Sequence, residues 1–369
     1  MALKEPFASR IAALRRKMAR NELAALLVTR PENRRYLSGY AAMDPQLDES
    51  SGCLLITRRG QYLLTDFRYR IQAEKEALGY QVQVYQSGPA QLLARQLKRL
   101  GITRMGFEED QLTFKAHRLL EEAAQPLDLR PMSGLVEELR AIKDRSEIRR
   151  ITRALRITED ALTQTLDFMK PGRSEIEVAR YLEQTMVDLG AEGPAFESIV
   201  ASGPHAALPH ATPTQRKIRP GETIIIDCGA RAKGYNADMT RTVVLGAPKP
   251  WIKRIYRVVR QAQRLAIRGI KPGLTTDQAD ALARDCIEQA GYGPNFGHSL
   301  GHGVGMATHE APALSRSQHI PLQPGMIVTV EPGIYLEGQG GVRLEEMILI
   351  TEKGNRLLNR DKSFYDWPA

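Results

Sequence analysis

Short apolar runs alternate with amphipathic stretches through the first third of the chain. The runs Leu54–Thr57 and Tyr62–Thr65 predict two strands around the turn at Arg59-Gly60. A further strand is predicted over residues 81–86, followed by a helix over residues 91–100 with apolar positions at helical spacing. Strands that alternate with helices in this way predict a mixed α/β domain.

A longer helical pattern covers residues 135–166, where Ile151 and Leu155 share one apolar face. Its many arginine and lysine residues are interleaved with acidic ones, which is typical of a solvated helix face and argues against a nucleic-acid patch. We expect the boundary between two domains in this stretch. The predicted domains are residues 1–140 and 141–369.

The second part of the chain contains an internal repeat. Residues 169–190 and 270–291 each hold a Lys-Pro-Gly turn, a Ser or Thr helix cap and an amphipathic helix that stops at glycine. Each copy ends on a proline-glycine turn and an apolar strand, at Arg219–Ala230 and Gln323–Tyr335. The second copy follows the first about one hundred positions later. Two related halves should place equivalent positions opposite each other across a pseudo-twofold axis.

Each half carries two acids at matching places. Asp227 ends the apolar strand of the first copy, and Glu331 ends that of the second. A second acid follows on the expected returning strand, Asp238 in one copy and Glu345 in the other. One such acid alone would be read as a turn residue at a strand end. Four buried carboxylates that meet at one axis are costly unless divalent cations neutralise them.

Five of the seven histidines fall in two matched segments, and the second segment, residues 296–312, lies between the acidic strands. An imidazole from it would complete an oxygen-rich site that suits two ions such as Mn²⁺, Co²⁺ or Zn²⁺, which can activate water for hydrolysis. Its glycines lack the Lys-Ser/Thr of a P-loop, which excludes a phosphate loop. The five histidines are His205, His210, His298, His302 and His309.

The ordered motifs IIIDCGA, NADMTRT, HSLGHGVGMATHEAP, TVEPGIY and GVRLEE resemble those of the pita-bread metallopeptidases, in particular the Xaa-Pro peptidases (prolidase and aminopeptidase P). The resemblance covers the whole chain. It implies an α+β fold, with a smaller N-terminal α/β domain of the creatinase type and a pita-bread catalytic domain built on a pseudo-twofold repeat. It also implies hydrolysis of the peptide bond that precedes proline in short peptides. The alternatives are a broader metalloaminopeptidase, a creatinase-like amidinohydrolase or a non-catalytic binding relative.

The resemblance also implies roles for ten residues. Two metal ions would be held by Asp227, Asp238, His302, Glu331 and Glu345, with Asp238 and Glu345 bridging the ions. Glu331 would shuttle a proton, and the substrate and the tetrahedral intermediate would be held by His210, His298 and His309. Tyr335 and Arg343 would support the site by hydrogen bonds; the alternative is a core tyrosine and a surface arginine.

The amino-acid composition indicates which partners and which cellular compartment to expect. The 369 residues carry 52 basic and 43 acidic side chains, a formal net charge of +9. This basic balance is compatible with nucleic acid, but the basic residues are intermixed with acidic ones, so we expect no nucleic-acid partner. No apolar run approaches the roughly 18–20 residues of a membrane helix, so we expect no membrane partner. Three scattered cysteines predict a reducing, cytoplasmic compartment. The family resemblance further implies a homodimer, and we expect Mn²⁺ ahead of Co²⁺ or Zn²⁺.

Overall fold

The structure, a computed structural model, describes residues 3–44, 46 and 49–366. The chain divides into two compact units, Met1–Arg140 and Ala141–Ala369. Both units contain helices and strands. Among the described residues, no helix is both long enough and apolar enough to cross a membrane.

The N-terminal unit is built on a six-stranded mixed sheet with the strand order β4-β3-β2-β1-β5-β6. One apolar layer of this sheet buries Leu27, Leu55 and Leu64, one from each central strand, against helix residues that include Leu97. The strands are β1 (Ala25–Val28), β2 (Cys53–Thr57), β3 (Gln61–Thr65), β4 (Gln81–Val84), β5 (Arg104–Glu108) and β6 (Asp128–Met132). The helices are α1 (Phe7–Arg20), α2 (Pro31–Ser38), α3 (Arg70–Glu76), α4 (Pro89–Arg99), α5 (Phe114–Ala123) and α6 (Glu137–Ala141).

The continuous helical pattern predicted over residues 135–166 is two helices. The first ends at Ala141, and α7 (Arg145–Phe168) begins after Asp144. The Asp144 carboxylate accepts a hydrogen bond from the backbone N–H of Glu147 at 2.9 Å, and the Glu147 carboxylate accepts one from the backbone N–H of Asp144 at 3.0 Å. This reciprocal cap satisfies amides that the helix itself leaves unpaired, so it fixes where α7 starts.

The internal repeat predicted from the sequence is visible in the C-terminal unit. Helices α8 (Glu175–Asp188) and α10 (Thr276–Gln289) are both 14 residues long, and each begins with a capping box. The residue before each helix also forms an isolated antiparallel bridge, Ser174 with Lys217 and Thr275 with Pro321. The fourth helix of this unit is α9 (Pro250–Gly269).

The strands of the C-terminal unit pair antiparallel throughout the described ladders, and the two main sheets have the orders β12-β9-β8 and β14-β13-β15-β18-β19. The strands are β7 (Gly193–Pro194), β8 (Ile199–Ser202), β9 (Thr223–Cys228), β10 (Ala230–Ala232), β11 (Tyr235–Asn236), β12 (Met239–Val244), β13 (Gly301–Gly303), β14 (Glu310–Leu314), β15 (Ile327–Val330), β16 (Gly333–Leu336), β17 (Gly340–Arg343), β18 (Glu346–Thr351) and β19 (Gly354–Leu357).

Strand alternation decides which way the acidic positions face. In β9, Ile224 and Ile226 pack into the main core of the first half, whereas Ile225 joins a separate small cluster with Tyr335. Side chains two residues apart share a strand face, so Asp227 lies on the same face as Ile225. The acid is therefore directed away from the main apolar core.

The cap on α7 can be tested by substitution. We expect Asp144→Ala to lower the free energy of unfolding by about 1 kcal/mol, because the Glu147 amide loses its acceptor. Urea denaturation followed by circular dichroism measures the change. The matched control is Gln164→Ala, at an exposed position of the same helix. Equal midpoints for the two variants would contradict a stabilising role for the cap.

Candidate metal centre

Three of the predicted ligands form one carboxylate cluster. Asp227 lies in β9, Asp238 directly precedes β12, and Glu345 lies between β17 and β18. One carboxylate oxygen of each residue lies within 4.8 Å of the other two. Asp238 is 5% exposed and Glu345 is 1% exposed. Burial, together with repulsion from the neighbouring acids, raises the pKa of Asp238 and of Glu345 well above the usual carboxyl range.

The cluster has buried oxygen atoms that lack hydrogen-bond partners. Oδ2 of Asp227 accepts a hydrogen bond from Arg343 at 2.7 Å, and Oε2 of Glu345 accepts one from Thr240 at 2.8 Å. Oδ1 of Asp227 and Oε1 of Glu345 have no hydrogen-bond partner among the described residues. Buried carboxylate oxygens normally have a hydrogen-bond partner. A hard divalent cation can take the place of such partners, because it binds several carboxylate oxygens at once. The donor set therefore fits divalent metal ions.

His302 and Glu331 lie at the edge of this cluster. His302 Nε2 is 3.2 Å from Oε1 of Glu331 and 3.6 Å from Oδ2 of Asp238. The Nδ1 atom of His302 donates to the carbonyl oxygen of Gly303 at 3.1 Å, which directs Nε2 towards the acids. Burial opposes both charges, but hydrogen bonding and attraction between the pair raise the pKa of His302 and lower the pKa of Glu331 to about 2.

Arg343 is the hub of the surrounding hydrogen bonds. Its guanidinium donates to Asp227 Oδ2 at 2.7 Å, to the Tyr335 hydroxyl at 2.8 Å, to the carbonyl oxygen of Pro209 at 3.1 Å and to the Thr240 hydroxyl at 3.2 Å. Arg343 is only 3% exposed, so the alternative of a surface arginine is wrong. One side chain thus orients an acid of the cluster and joins strands from both halves of the repeat.

Tyr335 extends this network to His298. The tyrosine hydroxyl lies 2.9 Å from Nε2 of His298, and Nδ1 of His298 donates to the carbonyl oxygen of Ser299 at 2.8 Å. Burial lowers the pKa of His298, so the imidazole is neutral near pH 7 and accepts the tyrosine proton at Nε2. Both ring nitrogens of His298 are therefore engaged by the protein.

The other two predicted histidines are placed differently. The ring of His309 packs edge-on against His302, with 4.2 Å between the ring centroids, and burial followed by repulsion from His302 lowers the pKa of His309. His210 is exposed and follows Pro209. Both histidines line the same cavity as the acids.

The cavity has a volume of about 520 Å³ and brings together most of the predicted site. Of the ten predicted residues, Tyr335 and Glu345 are absent from its lining, and both are buried. The lining also includes apolar residues, among them Phe196, Ile199 and Ala211. The lining residues among the ten are Asp227, Asp238, His210, His298, His302, His309, Glu331 and Arg343.

Two threonines of the site were missed by the sequence reasoning. Thr240 donates to Glu345, and Thr329 donates to Oε1 of Glu331 at 3.1 Å while accepting the backbone N–H of His302 at 3.0 Å. Each threonine stands two positions from an acid of the repeat. Side chains two positions apart in a strand lie on the same face. The spacing between each threonine and the nearby acid could therefore have identified both threonines from the sequence.

The raised pKa values of Asp238 and Glu345 predict how the stability of the metal-free chain depends on pH. These acids favour folding while protonated, and that contribution is lost as the pH rises through their folded-state pKa values. A divalent cation replaces the protons, so the thermal shift caused by Mn²⁺ should grow as the pH rises.

Differential scanning calorimetry with and without a chelator measures this shift. Asp238→Asn should raise the melting temperature of the metal-free chain at alkaline pH and abolish the shift caused by Mn²⁺. A shift that shrinks with rising pH, or that survives in Asp238→Asn, would contradict the assignment.

Each of the two units matches a known protein family. Residues 149–352 match metallopeptidase family M24, and residues 10–142 match the creatinase/prolidase N-terminal domain. The uncharacterized peptidase YqhT of Bacillus subtilis is 42% identical over 333 residues, covering 90% of this chain and 92% of that protein.

Two solved structures share the whole architecture. The Xaa-Pro dipeptidase from Bacillus anthracis is 41% identical with a TM-score of 0.91, covering 96% of this chain and 98% of that one. The X-Pro aminopeptidase from Thermotoga maritima is 35% identical with a TM-score of 0.84, covering 95% of this chain and 99% of that one. The predicted α+β fold, a creatinase-type domain followed by a pita-bread domain, is confirmed. The chain belongs to metallopeptidase family M24 and is an enzyme of that class.

Proposed function

We propose that this enzyme is a dimetal Xaa-Pro peptidase, which hydrolyses the peptide bond before proline in short peptides. The observation that carries the proposal is the group of buried, partly unpaired carboxylates at the wall of a 520 Å³ cavity. We propose specificity for proline because the two structural relatives are an Xaa-Pro dipeptidase and an X-Pro aminopeptidase. A broader metalloaminopeptidase is the alternative. A creatinase-like or non-catalytic relative is disfavoured, because all five proposed ligands are present.

The two ions would be held by the carboxylates of the cluster and by the His302–Glu331 pair. When bound, the metal ions polarise the scissile carbonyl and lower the pKa of the attacking water. The same donor set accepts Mn²⁺, Co²⁺ and Zn²⁺, and we propose Mn²⁺ because carboxylate oxygens outnumber the single nitrogen. The proposed ligands are Asp227, Asp238, His302, Glu331 and Glu345.

Glu331 is the proposed proton carrier. As a carboxylate beside the clustered acids it can accept a proton from the attacking water. It then delivers this proton to the nitrogen of the leaving proline. The hydrogen bond from Thr329 holds Oε1 in place and limits rotation of the side chain.

The hydrogen bonds and positions of the three outer histidines support different roles for them. Both nitrogens of His298 are engaged, so His298 lines the cavity but acts through the hydrogen-bonded chain Arg343–Tyr335–His298, which holds its ring in place. His309 and His210 are then the imidazoles that contact substrate and the developing oxyanion. A neutral His309, favoured by its lowered pKa, has one N–H to donate.

The apolar residues of the cavity lining suit proline. A proline in the substrate has no backbone N–H, so its side of the site needs no hydrogen-bond acceptor. Phe196, Ile199 and Ala211 offer such an apolar surface, which can bury the pyrrolidine ring. This arrangement favours proline on the leaving side of the scissile bond.

The free cysteines are consistent with the proposed compartment. All three cysteines are unpaired in the structure, and burial raises the pKa of Cys53 to about 12, which keeps this thiol unreactive. We propose a cytoplasmic enzyme on this basis. We also propose a homodimer, which rests on the family resemblance; sedimentation velocity tests it.

A peptide panel tests the activity. The metal-stripped enzyme, reloaded with Mn²⁺, should cleave Xaa-Pro or Xaa-Pro-Yaa peptides and leave matched Xaa-Ala-Yaa peptides intact. Cleavage of the dipeptide identifies a prolidase-like enzyme, and cleavage of the tripeptide alone identifies an aminopeptidase P. Equal cleavage of the alanine peptides would favour the broader aminopeptidase.

Substitution of Asp238 ties the activity to the cluster. Asp238→Ala should abolish hydrolysis and weaken Mn²⁺ binding, because the cluster loses a central carboxylate. Glu352→Ala, at an exposed acid in a turn of the same unit, is the matched control. An active, metal-replete Asp238→Ala enzyme would refute the mechanism.

The Arg343 hub predicts a second effect. Arg343→Lys keeps the charge but cannot reach four acceptors at once, so kcat/KM should fall by about 10- to 100-fold. Arg356→Lys, at an exposed position of β19, is the matched control. Steady-state kinetics compares the two variants; equal kcat/KM values would show that the hub is dispensable.

A further inference from the structure

The first residues of the C-terminal unit include a buried lysine, Lys143, which is not one of the proposed site residues. The Lys143 side chain is 1% exposed, and its Nζ lies 2.8 Å from Oε1 of Glu310, whose side chain is 5% exposed. Nζ also donates to the carbonyl oxygen of Ala141 at 3.2 Å. Burial of a full ion pair requires that both partners stay in place, since either charge alone would be strongly destabilising.

The acid of this pair directly follows His309. Glu310 is the first residue of β14 and stands opposite Gly303 of β13, next to His302. A Cβ atom on Gly305 would lie 2.2 Å from Oε1 of Glu310. The Glu310 carboxylate therefore packs against the short loop that connects the two histidines, and only glycine leaves room for it there.

The backbone of Lys143 is tied to a second part of the site. Its N–H donates to the carbonyl oxygen of Gly325 at 2.9 Å. Gly325 has φ of +94° and belongs to the turn that starts β15, the strand that leads to Glu331. A Cβ atom at Gly325 would lie 2.9 Å from the side chain of Ile142, so this turn packs closely on the opening segment.

We propose that Lys143 is a positioning residue of the peptidase site. Its ammonium group fixes the loop that carries His309, and its backbone fixes the turn ahead of Glu331. Lys143 thereby sets the distance between the proposed proton carrier and the proposed oxyanion contact. The inference rests on the proposed function for the roles of these two residues, but the packing that it describes does not.

A double-mutant cycle separates positioning from simple charge compensation. Lys143→Met leaves the Glu310 carboxylate buried without the Lys143 ammonium group and should lower the melting temperature. Lys143→Met/Glu310→Gln removes both charges and should return the melting temperature towards that of the wild type. The kcat of the double variant should still be reduced by about 10- to 100-fold with KM within about 3-fold, because the loop is no longer held.

Lys271→Met, at an exposed lysine of the same unit, is the matched control and should keep wild-type kcat. A stable double variant with wild-type kcat would overturn the proposal. A kcat that recovers in parallel with the melting temperature would also overturn it, because the pair would then serve stability alone.

A structural readout keeps this test independent of turnover. In a crystal structure of the metal-free double variant, the centroid separation between His302 and His309, 4.2 Å in the wild-type chain, should increase. If the Mn²⁺-loaded wild type cleaves no peptide of the panel, the proposed function fails, and the ring separation alone decides on Lys143. An unchanged separation then overturns the proposal, and an increased one supports it.

Discussion

The electrostatic cost of placing Asp227, Asp238 and Glu345 together in a buried cluster governs much of the C-terminal unit. Three adjacent carboxylates cannot all ionise in a region of low dielectric without compensation. Arg343 and Thr240 compensate part of this cost, one oxygen at a time, and they leave two buried oxygens for a cation. The apolar cores on either side then serve as a rigid frame that prevents the acids from moving apart.

The same cluster explains why the supporting groups come from both halves of the repeat. Thr240 belongs to the first half, and its hydroxyl reaches Glu345 in the second. Arg343 belongs to the second half and reaches Asp227 in the first. These reciprocal bonds across the pseudo-twofold axis fix the relative position of the two halves, and with it the distances between the clustered carboxylates. Positional precision at the site is therefore a property of the whole unit.

Much of this arrangement could be predicted from the sequence. The repeat pointed to paired halves, and acids at matching strand ends pointed to Asp227, Asp238, Glu331 and Glu345, because duplicated local patterns fold alike. The break between α6 and α7 was missed, since apolar periodicity continues through it and only the cap at Asp144 interrupts the helix. The Lys143–Glu310 ion pair could also not be predicted from the sequence. No local pattern joins residues so far apart in the chain, and a lysine is usually exposed.

The two halves of the repeat belong to one chain, so their sequences can differ from each other at the site. In a symmetric pair of identical chains, every substitution appears on both sides of the axis, so the site must stay symmetric. Here each half carries its own copy of the strand and turn framework, but His302, Tyr335 and Arg343 occur in the second half alone. A single chain therefore permits both halves to keep their matching acids while the second half alone adds an imidazole, a phenol and a guanidinium group beside them. Chemical asymmetry arises at the axis without any loss of the shared scaffold.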